Sequence, residues 1–130
     1  SDETAITKSR VDVENYFFQL KLDRKEIARL LIVVDEIVSN IVFYGNADHG
    51  ALTLSCDYQN DEVTLIFKDN GKKFNPLEQE DPDISRPTRE RDIGGLGILL
   101  VKNMADYIDY VYKDECNILT FKRCLHKEVI

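Results

Sequence analysis

The chain is short of positive charge: 17 Lys and Arg stand against 24 Asp and Glu, giving a formal net charge of −7 and a pI near 4.8. Such a surface does not neutralise a nucleic-acid backbone, so a general nucleic-acid binder is excluded and any phosphate site must be local. Cysteine is scarce and odd in number. Cys56, Cys116 and Cys124 fall at no metal-ligand spacing and read best as reduced thiols of a cytoplasmic protein, with a Cys116–Cys124 pair as the alternative. No apolar run reaches the roughly 18 uninterrupted residues of a membrane helix and no signal-peptide pattern is present, so a soluble, cytosolic chain without membrane contact is expected. Histidine is rarer still: His49 and His126 have no neighbours that suggest nucleophilic catalysis and read as surface residues. Glycine is crowded in one place only, Gly94-Gly95-Leu96-Gly97. What is abundant is apolar residue, 43% of 130, enough for one domain with a real core, residues 1–130, and too little for two.

Hydrophobic spacing sets out the elements. Ile6, Val11 or Val13, Phe17, Phe18 and Leu20 recur at helical intervals and predict a first amphipathic helix over about residues 4–22, with Phe17, Phe18, Phe43 and Phe67 as core aromatics. Asp23 is the expected N-cap of a second helix reaching about Tyr44, with Glu26 completing a capping-box-like start and Gly45 available for a left-handed ending. Ala51 to Tyr58 and Val63 to Lys68 read as a hairpin around Gln59-Asn60-Asp61-Glu62, and Tyr107 to Tyr112 with Asn117 to Leu125 as a second around Lys113-Asp114-Glu115. Between the hairpins, Asn70 to Asp92 is charged and broken by Pro76, Pro82 and Pro87, a long functional loop or a mobile one, and a helix resumes over Leu96 to Ala105. The order predicts an α+β two-layer sandwich, a mainly antiparallel sheet with helices on one face.

Chemistry concentrates in three segments. Within LIVVDEIVSNIVFYG, Leu31 to Gly45, the polar side chains Asp35, Glu36, Ser39 and Asn40 form two i,i+4 pairs and would share one stripe of a buried helix. Glu36 and Asn40 then offer a carboxylate and an amide from a stiff support, as a general base and a magnesium ligand would be offered; a solvated helix face is the plainer alternative. Asp69-Asn70-Gly71 ends an apolar strand, so Asp69 is placed to accept a hydrogen bond from an adenine amino group, although the same triplet is also an ordinary turn. Gly94-Gly95-Leu96-Gly97 opens an apolar helix whose free N–H groups can cradle phosphate oxygens, without the Lys-Ser/Thr pair of a P-loop.

In this order the segments resemble a known family. DEIVSNIVFYG is similar to the N-box, DNGKKFNP to the first glycine box and GGLGILLVKNMAD to the second glycine box of the Bergerat-fold ATP-binding proteins. The nearest likeness is to the bacterial anti-sigma factors that act as serine/threonine kinases, and it covers about residues 25–125. The resemblance implies that Glu36 is the general base, Asn40 the magnesium ligand, Asp69 with Gly71 the adenine reader, and Gly95, Leu96 and Gly97 the phosphate side of an ATP and Mg2+ site. It further implies a sigma factor and an anti-anti-sigma antagonist protein as partners, and self-pairing into a homodimer. With no phospho-accepting histidine helix in the chain, a complete sensor histidine kinase is not expected.

The chain departs from the family pattern in three places. Ile93 stands near the position of an Arg that reaches the terminal phosphate in kinase-competent members, so Arg91, Arg89, Lys72 or Lys73 would have to substitute. Lys73 replaces a second glycine of the first box. The chain opens at its first helix, where the family places a strand, so a bare sheet edge open to a partner is expected. Two functions therefore stand side by side: a serine/threonine kinase acting on an antagonist, and a nucleotide- or partner-binding module of the same fold without kinase activity.

Overall fold

A carboxylate starts the central helix. The computed structural model describes residues 2–45, 52–78 and 95–125, and in it Asp23 caps helix α2, Arg24–Gly45: its carboxylate accepts the Lys25 N–H at 2.8 Å and its carbonyl accepts the Ile27 N–H at 2.9 Å. Glu26, expected to complete a capping box, does not reach back. Its carboxylate instead holds the guanidinium groups of Arg123 and Arg29, because a charge-assisted bond to arginine is stronger than one to a backbone N–H. Ile27, Leu30, Val34, Ile37, Val38 and Ile41 of α2 then face the core at three- and four-residue intervals.

Helix α1, Asp2–Gln19, lies beside α2 and buries Val13 and Phe17 one turn apart. Phe18, assigned to the core from sequence, is half exposed along with Val11, because the inward face of the helix is already taken by Val13 and Phe17. The helix ends three residues short of the predicted boundary, where Lys21 turns the chain at a φ of 57°. The Phe43 side chain, His49 and His126 lie outside the described residues.

Strands β1, Leu52–Gln59, and β2, Glu62–Asp69, form the first hairpin, and β3, Tyr107–Lys113, and β4, Cys116–Cys124, the second. Each turn is two residues long, Asn60-Asp61 and Asp114-Glu115, with positive φ at both, the geometry whose twist matches the flanking strands. The hairpins join through antiparallel β2 and β4 in the order β1-β2-β4-β3. Alternation puts Val63, Leu65 and Phe67 of β2 and Leu119 and Phe121 of β4 on one buried face, over which the helices pack, while Thr53, Ser55, Asp57 and Gln59 of β1 point outward. This is the two-layer α+β sandwich expected, with an open four-stranded antiparallel sheet. Cys116 and Cys124 stand at opposite ends of a nine-residue strand, too far apart to bridge, and burial followed by the charge of Asp57 pushes the Cys56 thiol up to about 12. Among the described residues no helix is long and apolar enough to cross a membrane.

Arg123 ties the layers together at the end of the sheet away from Asp69. Besides Glu26 at the start of α2, it holds the Met104 carbonyl at 2.7 Å, at the end of helix α3, Gly95–Met104. Arg123→Ala is expected to cost about 2 kcal/mol of folding free energy in a denaturant titration, since Glu26 and a helix-end carbonyl both lose a charged donor. A loss under about 0.5 kcal/mol would class the contact with exposed ion pairs instead.

Candidate functional site

The polar stripe of α2 divides in two. Asp35 and Ser39 face solvent, Glu36 is half-buried, and Asn40 is 1% exposed, so only the Glu36–Asn40 pair points into the protein rather than all four residues. The division follows from helix geometry, since adjacent residues are turned by about 100° and only one of the two pairs fits beneath a packed neighbour.

Asn40 is polar, buried and half-satisfied. Its Nδ2 donates back to the Glu36 carbonyl at 2.7 Å, while its Oδ1 finds no hydrogen-bond partner among the described residues. Leaving such an oxygen unpaired costs about 1–3 kcal/mol, which a fold tolerates where a ligand uses the atom. An amide oxygen is a hard, neutral donor of the kind magnesium takes, so this residue fits a metal whose remaining ligands are phosphate and water.

Glu36 meets the second glycine segment across the helix–helix contact. A Cβ built onto Gly97 would collide with the Glu36 carboxylate and stand only 3.0 Å from its Cγ, so the absence of a side chain at position 97 is what lets Glu36 occupy this place. Gly95 and Leu96 form the first turn of α3, whose N-terminal N–H groups and dipole favour an anion. Sequence placed Glu36 and Gly97 in separate motifs, and packing makes them neighbours.

The second half of the site is built at the ends of β2 and β4. Asp69 is 3% exposed, and its Oδ1 accepts the Gly71 N–H at 2.9 Å and the Asn117 Nδ2 at 3.0 Å. Asn117 stands directly opposite Asp69 in the ladder, so the two side chains share the buried face. Its amide is fully used: Nδ2 also donates to the Lys72 carbonyl at 2.9 Å, and Oδ1 accepts the Phe74 N–H at 3.0 Å and the Tyr110 hydroxyl. Burial, reinforced by the charge of Asp69, raises the Tyr110 pKa and keeps that hydroxyl a donor.

Asn117 was not among the residues singled out from sequence, where it only begins a strand. The available signal was parity, since Asn117, Leu119 and Phe121 alternate onto the core face and an amide at that position needs partners.

The two halves lie at the same end of the sheet. Leu52, which follows α2, pairs with Asp69, and Asp69 pairs with Asn117. After β2 the chain returns to α2: Asn75 accepts the Leu77 N–H at 2.9 Å, opening a 3-10 turn, Pro76–Glu78, that packs against α2. Part of the segment read as a loop is thus ordered. Lys73, a candidate cation for a terminal phosphate, is held over the Tyr112 ring at 5.3 Å. Arg91, with Arg86, Arg89, Ile93 and Gly94, lies outside the described residues. A cavity of about 840 Å3 opens at the opposite end of the sheet, but Asp23 there caps α2, and Glu26 and Arg123 hold each other.

Residues 1–123 match the histidine kinase-like ATPase domain. The chain is similar to the anti-sigma F factor of Oceanobacillus iheyensis, 24% identical over 109 residues, covering 82% of this chain and 75% of the relative. It is 30% identical over 102 residues to an anti-sigma F factor of Clostridium botulinum strain Eklund 17B, covering 75% and 70%. It is also 29% identical over 93 residues to the serine/threonine-protein kinase BtrW of Bordetella bronchiseptica, covering 70% and 66%.

Replacing Asn40 by an apolar residue of similar volume removes the orphaned oxygen. Asn40→Leu is therefore expected to raise the stability of the ligand-free protein by about 1 kcal/mol, read as a higher denaturation midpoint. A lower midpoint would mean that the amide is structural.

Proposed function

Because the chain belongs to the histidine kinase-like ATPase domain family, we propose that it is an ATP-binding anti-sigma regulator that phosphorylates a serine or threonine of an antagonist protein. The observation that carries this reading is the buried Asn40 oxygen without a partner among the described residues, one helical turn from a Glu36 that rests against Gly97. The names of the relatives, anti-sigma F factors and a serine/threonine-protein kinase, support the choice of partners: a sigma factor held inactive and an antagonist that competes for the regulator. Such a role belongs in the cytoplasm, and a second copy of the chain would complete the regulator as a homodimer.

The residues fit their expected tasks chemically. Asn40 Oδ1 would hold Mg2+. Asp69 would accept the adenine amino group, with Gly71 leaving room for the base, and the first turn of α3, Gly95 to Gly97, would face the phosphates. Mg-ATP, when bound, supplies the phosphoryl group. Glu36 accepts the proton of the incoming hydroxyl, the step that positioned carboxylates accelerate about 10²–10⁴-fold. A glycine at 97 keeps that carboxylate in place without a competing side chain. Arg91, from the segment before α3, is the candidate cation for the terminal phosphate.

A second reading, a nucleotide-binding regulator without kinase activity, is favoured by one observation: Lys73 is engaged with Tyr112. Calorimetry with ATP, with and without Mg2+, and transfer of labelled terminal phosphate to candidate antagonists separate the two. The expected result is magnesium-dependent binding lost with Asn40→Ala. Glu36→Gln should keep binding but slow transfer about 100-fold or more. Binding without transfer to any antagonist selects the second reading, and no binding at about millimolar nucleotide, the weak end of the affinity scale, removes both.

A further inference from the structure

Resting on the nucleotide reading above, we propose that Asn117 is the positioning residue for base recognition, setting the carboxylate of Asp69 and the chain from Gly71 to Phe74 as one unit. Three observations converge on it. The side chain is 5% exposed and directly opposite Asp69 in the β2–β4 ladder. Its four hydrogen bonds run to three separate pieces of structure: the end of β2 through Asp69, the following loop through the Lys72 carbonyl and the Phe74 N–H, and β3 through the Tyr110 hydroxyl. The donors and acceptors around it are sorted, two acceptors at Nδ2 and two donors at Oδ1, which fixes the orientation of the amide.

The consequence is directional. Both the Gly71 N–H and the Asn117 amide bond to Oδ1 of Asp69, which fixes the rotation of the carboxylate and thereby the direction of Oδ2. A carboxylate held in this way can discriminate a base that offers an amino group from one that does not, because its orientation is settled before the ligand arrives. Tyr110 is the outer support: its hydroxyl closes the network from β3. Beyond the network, Phe74, Asn75 and Glu78 line a cavity of about 380 Å3 together with Lys73 and Tyr110.

The test uses Asn117→Asp, which preserves shape and the two acceptor bonds but replaces the amide that donates to Asp69 and to the Lys72 carbonyl. Near neutral pH a second carboxylate then stands about 3 Å from the first in place of that donor, and the repulsion raises the pH at which the pair takes up a proton. Calorimetric titrations with ATP and with purine riboside triphosphate, which lacks the amino group, should show wild type preferring ATP. In the variant ATP affinity should fall about tenfold while the analogue changes about twofold or less, erasing the preference. Lowering the pH to about 5.5 should restore ATP binding by the variant, since a protonated carboxyl again donates toward Asp69. Should Asn117→Asp fail to fold, Tyr110→Phe, which removes one support without adding charge, is expected to lower the preference about threefold.

A purely structural Asn117 would weaken both nucleotides equally with no recovery at low pH, and that outcome overturns the proposal. An unchanged preference in the variant overturns it too. A wild type that binds both triphosphates equally well sinks the inference but leaves the nucleotide reading standing, whereas a wild type that binds neither removes both.

Discussion

A buried amide must find a partner for each donor and acceptor, and this protein depends on how two asparagines meet that requirement. Asn117 meets it completely, and four hydrogen bonds from one side chain make the ends of β2 and β4, the following loop and β3 a single rigid corner. Asn40 meets it by half. Its donor side is used inside its own helix and its acceptor side is left open, at a cost in stability that packing elsewhere offsets. The first residue ties three segments together, and the second keeps one acceptor open on a buried face.

The fold makes this possible through α2. A helix of 22 residues spans about 33 Å, enough for one element to serve both ends of the sheet. Its first turn is anchored through Glu26 to Arg123 and through Arg123 to the end of α3, while its later turns carry Glu36 and Asn40. Between these ends the helix is sealed by aliphatic side chains against Val63, Leu65 and Phe67, so the polar pair cannot shift without disturbing a packed core. Two polar side chains on such a support keep their spacing whether or not a ligand is present.

Much of this was legible in the chain. Each hairpin was written in its turn residues and in the alternation of its strands, and α2 in its apolar spacing and its Asp23 cap. The pairing of Glu36 with Asn40 followed from their four-residue spacing alone. Other features were not legible, and each involves partners remote in sequence. Glu26 satisfies every local rule for a capping box, yet it binds Arg123, 97 positions away, because folding brings a guanidinium within reach. Phe18 has the composition of a core residue but sits on a half-exposed face of α1.

What the sequence determined by itself, then, is everything governed by short periods: the order of the main helices and strands, the places of the two hairpins, and the helix on which the polar pair stands. Only the tertiary structure decided which half of the polar stripe turns inward, that Glu36 rests against Gly97, and that Asn117, 48 positions from Asp69, holds it. The reason is physical. Helical and strand periodicities are properties of neighbouring residues, whereas the satisfaction of a buried polar atom depends on which distant segment the packing of the core places against it.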